Sequence, residues 1–109
     1  MAYDEQLASR VREALAPRPE VVEKKMIGGI GFMVAGKMAV GVMEEELIVR
    51  LDPADAEQAL AEQGVREFDF TGRPMRGWLF VSPDAYTDEE AFAGWVDAGA
   101  DYASSLPAE

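Results

Sequence analysis

The chain has 109 residues, 49% of them hydrophobic and 28% charged, enough for one buried core and too few for two domains of ordinary size. It contains neither cysteine nor histidine, which excludes disulfides, thiolate zinc sites and Ser-His or Cys-His catalytic pairs. A net charge of −11, from 21 acidic and 10 basic residues, opposes nonspecific binding to a phosphate backbone.

The opening stretch MAYDEQLASRVREAL is charged and helical in pattern, unlike the apolar core of a signal peptide, and no run reaches the length of a membrane span. A cytoplasmic protein with a single domain over residues 1–109 is the expectation. Leu7, Val11, Ala14 and Leu15 recur at helical spacing behind Asp4 and Glu5, predicting a first helix that Pro17 and Pro19 end. From Met26 to Leu51 the chain turns to Val, Ile, Met and Phe broken by glycine, and strands are predicted near 30–34, 38–42 and 47–51. VAGKM supplies one tight turn, with either Ala35 and Gly36 or Gly36 and Lys37 at its corners, and MEEEL supplies the next. Gly28 and Gly29 mark a bend or bulge leading into the sheet.

LDPADAEQALAEQG predicts a second helix, capped by Asp52, begun by Pro53, buried along Ala56, Ala59 and Leu60, and closed by Gly64. EFDF and GWLFV follow as two strands joined by TGRPMR. A T-x-x-E capping box of Thr87 and Glu90 starts the last helix, whose buried stripe is Phe92, Trp95, Val96, Gly99, Ala103 and Leu106. Short links imply antiparallel pairing, so the predicted fold is an α+β two-layer sandwich, order α-β-β-β-α-β-β-α, with helices on one face of a mainly antiparallel sheet.

GFMVAGKM, residues 31–38, satisfies the first seven positions of a phosphate-binding loop. The eighth is Met38 where that motif needs Ser or Thr for magnesium, and MAVGVM continues as a β pattern rather than a helix. The glycines are read as sheet punctuation. Glu44, Glu45 and Glu46 read as a solvated turn, since a hard-cation site needs converging oxygens. No cofactor is expected.

Arg50 interrupts LIVRL, where alternation sets it with Ile48 on one face and Leu47, Val49 and Leu51 on the other. It reads either as a solvent-facing charge or as a fixed guanidinium for a carboxylate or phosphate. Arg73 and Arg76 bracket a proline turn near Trp78, either as ordinary turn residues or as a grip on a peptide or anion. Lys24, Lys25 and Lys37 lie in an acid-free stretch, as do Arg73 and Arg76 in another; where the two stretches met, they would make a basic patch. Lys24, Lys25, Lys37, Arg50, Arg73, Arg76 and Trp78 are therefore the candidate partner- or anion-binding residues, with no catalytic or metal site proposed.

EKKMIGGIGFMVAGKMAVGV, then LIVRL, then FDFTGRPMRGWLFV resemble the N-terminal domain family of TfoX, the bacterial competence regulator also called Sxy. The Lys-Lys-Met-Phe-Gly-Gly pattern of that family is met by residues 24–29, with Ile27 in place of the aromatic residue. Its Gly-Lys-Met turn corresponds to Gly36, Lys37 and Met38, and its Thr-Gly-Arg-Pro-Met turn to residues 71–75. The resemblance implies a secretion-chaperone-like fold with the same element order and no established catalysis, in a stand-alone member that lacks the helical C-terminal domain of full-length regulators. Together with the lack of a catalytic constellation, it favours a non-catalytic regulatory or protein-interaction module with a protein partner or a homodimer. The alternatives are a nucleic-acid-associated regulator using a local basic patch and, in third place, a small-molecule-binding protein or enzyme.

Overall fold

The computed structural model describes residues 3–26, 28–69 and 74–106. Its elements run α1 (Glu5–Leu15), β1 (Val21–Met26), β2 (Gly29–Val34), β3 (Lys37–Met43), β4 (Glu46–Arg50), α2 (Pro53–Ala59), β5 (Val65–Asp69), β6 (Pro74–Val81) and α3 (Glu89–Ser105). The six strands form one sheet in the order β1-β2-β3-β4-β6-β5, and every pairing is antiparallel. The α+β architecture is as predicted, with one addition. Val21–Met26 forms an edge strand that the predicted order left out, because VVEKKM carries three charges and no alternation. Its strand character comes from backbone pairing to β2.

Alternation decides what the sheet buries. Ile30, Phe32 and Val34 of β2, Val40 and Val42 of β3, Leu47 and Val49 of β4, and Leu79 and Val81 of β6 join one core. All three helices contribute to that same cluster: Leu7, Val11 and Leu15 from α1, Ala56 and Ala59 from α2, Phe92, Val96, Ala100 and Ala103 from α3. Among the described residues, the helices therefore cover one face and leave the other without a helix layer.

The turns follow from backbone chemistry. Ala35 and Gly36 both have positive φ, 53° and 83°, so they are the corners of the β2–β3 hairpin, the geometry whose twist suits flanking strands. Asp4 caps α1 by accepting from the amides of Gln6 and Leu7, and Asp52 caps α2 through Ala54. The cap of α3 is Asp88, which accepts from the Ala91 amide at 2.7 Å, one residue beyond the predicted Thr87. Its carboxylate is a charged acceptor for an amide at the positive helix end. Leu60 follows the last turn of the short α2 and is 37% exposed, so the predicted buried stripe stops at Ala59.

α3 seats on the sheet at a specific irregularity. The β2–β3 register shifts so that Phe32 faces Val40 while Met33 faces Met38, which leaves Ala39 as the extra residue of a bulge. Its carbonyl oxygen would lie 2.6 Å from a Cβ built on Gly99 of α3. Only glycine admits that approach. Gly94, in the same helix, has nothing within 4 Å of such an atom. Ion pairs join α1 and the segment that follows it to α3, from Arg10 to Glu89 at 2.8 Å and from Arg18 to Asp101 at 2.9 Å.

Tyr86 is the unusual core member. It is buried edge-on to Phe92, with the Arg10 guanidinium 5.9 Å from its ring centre, and its hydroxyl finds no hydrogen-bond partner among the described residues. Burial pushes that hydroxyl up from 10 to about 12, partly opposed by Arg10.

The same substitution at two glycines of α3 is expected to act with opposite sign. Gly99→Ala should destabilise by about 1–3 kcal/mol through overpacking, and Gly94→Ala should stabilise by up to about 1 kcal/mol through helix propensity, both measured by urea unfolding. Because the Tyr86 pKa is raised on folding, its contribution is complete below about pH 10 and is lost as pH climbs through about 12. Unfolding curves across that range should show the loss. Tyr86→Phe should abolish it and hold or raise neutral-pH stability by about 1 kcal/mol, since an unpaired hydroxyl is removed.

Candidate binding site on the open sheet face

Register carries one row of residues straight across the uncovered face: Lys24, Gly31, Gly41, Ile48, Phe80 and Arg66 are successive cross-strand neighbours from β1 to β5. On one side of that row lie Met26, Gly29, Met43 and Glu46, and on the other Val22, Met33 and Met38. Directly opposed residues share a face, so four methionines flank a floor of three glycines. The side chains use the space that the missing Cβ atoms leave. An atom built on Gly31 would stand 3.3 Å from the Met26 methyl and 3.4 Å from the Met38 methyl, and one on Gly41 only 2.7 Å from Met38. Met26 and Met38 thus meet above the glycines. Ile48, beside Gly41 and Phe80 in register, is 1% exposed.

The β4–β6–β5 half of the face is aromatic and cationic. Phe68 stacks at a tilt on Phe80 and Trp78, with centroids 4.8 Å and 6.3 Å apart. The Arg66 guanidinium lies 4.5 Å from the Phe80 centroid and pairs through both nitrogens with Glu46, 2.6 Å at Nη2. That hydrogen bond raises the Arg66 pKa above its usual value. Arg50 faces Trp78 in register. Its guanidinium sits 5.1 Å from the Trp78 ring centre and 5.7 Å from that of Tyr102 of α3, within cation–π range of both.

This setting separates Arg50 from most of the other arginines. Arg10, Arg12, Arg18 and Arg66 are each ion-paired. Among the described residues, Arg50 makes no ion pair, although the chain carries 21 carboxylate side chains. It is half-buried and in cation–π contact with two rings.

The other sequence-derived candidates are dispersed. Lys24 is on the open face, whereas Lys25 and Lys37 are opposite the core residues Ile30 and Val34 and so belong to the helix side. Arg76 shares with Trp78, Glu57, Glu67 and Leu60 an open cleft of about 300 Å³ between α2 and β6. Arg73 lies outside the described residues. β1 and β6 are four strand positions apart, roughly 19 Å at 4.7–4.9 Å per step, so Lys24 and Lys25 do not join Arg76 in one patch. Glu44, Glu45 and Glu46 border a broad depression with Asp4, and no group of three or more metal-ligating carboxylates converges among the described residues.

Tyr102, Phe80 and the methionines of the glycine floor were not among the sequence-derived candidates. Alternation in GIGFM and MAVGVM does put Gly29, Gly31 and Gly41 out of phase with the core, a legible signal. The contact of Tyr102 with Arg50 joins α3 to β4 across the chain and has no local signature.

Fold and face together define a small α+β domain that presents an open, largely apolar sheet surface with an unpaired guanidinium at one end. The family model for the TfoX N-terminal domain matches residues 13–103, and the chain belongs to that family. No curated protein and no solved structure matches it.

Proposed function

We propose that this domain is a non-catalytic regulatory module whose open sheet face takes a protein segment bearing both acidic and apolar side chains. The observation that carries the reading is Arg50, in cation–π contact with both Trp78 and Tyr102 and with no carboxylate partner among the described residues. A guanidinium fixed in this way is preorganised for a planar carboxylate. Charge supports the same partner chemistry. Arg66 and Glu46 neutralise one another on this face, leaving Lys24 and Arg50 as a local positive surplus on a chain of net charge −11. The flexible, polarisable methionines above Gly31 and Gly41 suit apolar side chains of varied shape. A nucleic acid is less well served, because Lys24 and Lys25 point to opposite sides and stand far from Arg76.

Replacing methionine by a photoreactive analogue places crosslinkers at positions 26, 33, 38 and 43 of the face. Irradiation in expressing cells should join them to an acidic, apolar protein segment. Arg50→Glu, checked for folding by circular dichroism, should cut the yield about tenfold, in keeping with loss of one central charged anchor. Adducts that map only elsewhere, adducts with nucleic acid, or a yield indifferent to Arg50→Glu would refute the reading.

A further inference from the structure

β1 is a terminal strand of the sheet, exposed along nearly its whole length. It carries two of the three exposed large hydrophobic residues among the described ones, Val22 at 60% and Met26 at 37%. An edge of this kind is a template for another strand, and lysines on it commonly prevent pairing. Here two lysines are accompanied by Glu23. We propose that the β1 edge pairs antiparallel with the same edge of a second copy, in the register that centres on Lys24. The proposal stands apart from the partner reading above, since it concerns the edge and not the face.

Symmetry limits the choices sharply. A two-fold axis that relates two antiparallel edge strands runs perpendicular to the sheet and preserves its faces, so residues facing one another must have the same parity. Within Val21–Met26, two such registers pair five residues, 21–25 centred on Glu23 and 22–26 centred on Lys24. The first sets Glu23 against the partner's Glu23 and Val22 against the partner's Lys24. The second sets Glu23 against the partner's Lys25 twice over and Val22 against the partner's Met26 twice over. Its one like-charged contact is Lys24 with the partner's Lys24, whose long flexible stems let the ammonium groups part.

The surrounding structure prepares this register. Glu23 and Lys25 share the helix side of β1, where Arg12 of α1 holds the Glu23 carboxylate by two hydrogen bonds of 2.5 Å and 2.7 Å. The carboxylate is thereby fixed beside the edge that the partner's Lys25 would approach. On the other side, Val22 and Met26 lie on the methionine-lined face, so their pairing would continue that face from one copy into the next.

The natural absence of cysteine permits a direct test on the full chain. In the proposed register position 24 faces itself, so Lys24→Cys should give a disulfide-linked dimer under mild oxidation, within the reach of directly opposed strand residues. Glu23→Cys, which faces itself only in the rejected register, should give several-fold less. Analytical ultracentrifugation supplies the second measurement. The unmodified chain should show a concentration-dependent dimer. Lys25→Glu alone sets carboxylate against carboxylate, and Glu23→Lys alone sets ammonium against ammonium, so each should sediment as monomer. Their mixture, in which every such contact is again opposite in sign, should recover the dimer. Equal crosslinking at 23 and 24, a monomer at all concentrations, or a dimer untouched by Lys25→Glu would overturn the proposal.

Discussion

The parity of β4 is the constraint on which the rest of the molecule depends. Leu47 and Val49 enter the helix-covered core from the centre of the sheet, and Ile48 and Arg50 are thereby sent to the other side. A slip by one residue would drive the Arg50 guanidinium into an apolar interior lined by Val and Leu, where an unpaired charge is too costly to keep. Four apolar neighbours on two adjacent strands, Val40, Val42, Leu79 and Val81, enforce the register from both sides. The placement of Arg50 on the open side is thus a by-product of core burial.

Small residues determine how closely the layers approach, on both sides of the sheet. Toward the helices, the bulge at Ala39 lifts a carbonyl that only Gly99 can accommodate, which brings the α3 backbone down onto β3. Toward the open side, Gly31 and Gly41 leave room that Met26 and Met38 fill by lying flat. The same economy of volume therefore gives a tight interior on one face and a deformable apolar surface on the other. Methionine does not specify a single packing as Ile or Phe would.

Charge completes this division. On a strongly acidic chain, arginines have carboxylates within easy reach, and four of them pair with carboxylates of other elements: Arg10 of α1 and Arg18 just beyond it with α3, Arg12 of α1 with β1, and Arg66 of β5 with β4. These pairs are mostly exposed and each contributes little to stability; their significance lies in orienting side chains. Arg12 fixes Glu23 at the sheet edge and, by hydrogen bonding to it, holds that carboxylate below its ordinary pKa. Arg66 lies flat on Phe80. Arg50 is held instead by Trp78 and Tyr102, so the protein has positioned this cation without neutralising it.

Membership of the TfoX N-terminal domain family, the α+β class, five of the six strands and all three helices were legible in the sequence, because each rests on local signals: Asp52-Pro53 at a helix start, glycine at the hairpin corner, and apolar residues at spacings of two or of three and four. The two-sided character of LIVRL was legible for the same reason. Strand β1 was not, since Glu23, Lys24 and Lys25 erase alternation and only the β2 backbone makes that segment extended. Thr87 and Asp88 both suit a cap, and the structure uses Asp88, whose carboxylate accepts from the Ala91 amide. The grouping of the candidate residues lay wholly beyond the sequence: strand order separates Lys24 from Arg76, register sends Lys25 to the far side, and Arg50 meets Tyr102 from 52 positions away. Local chemistry determines which face each residue takes within its own strand or helix. Which faces meet is decided by the order in which strands pair, and that order is set by the burial of the whole core at once.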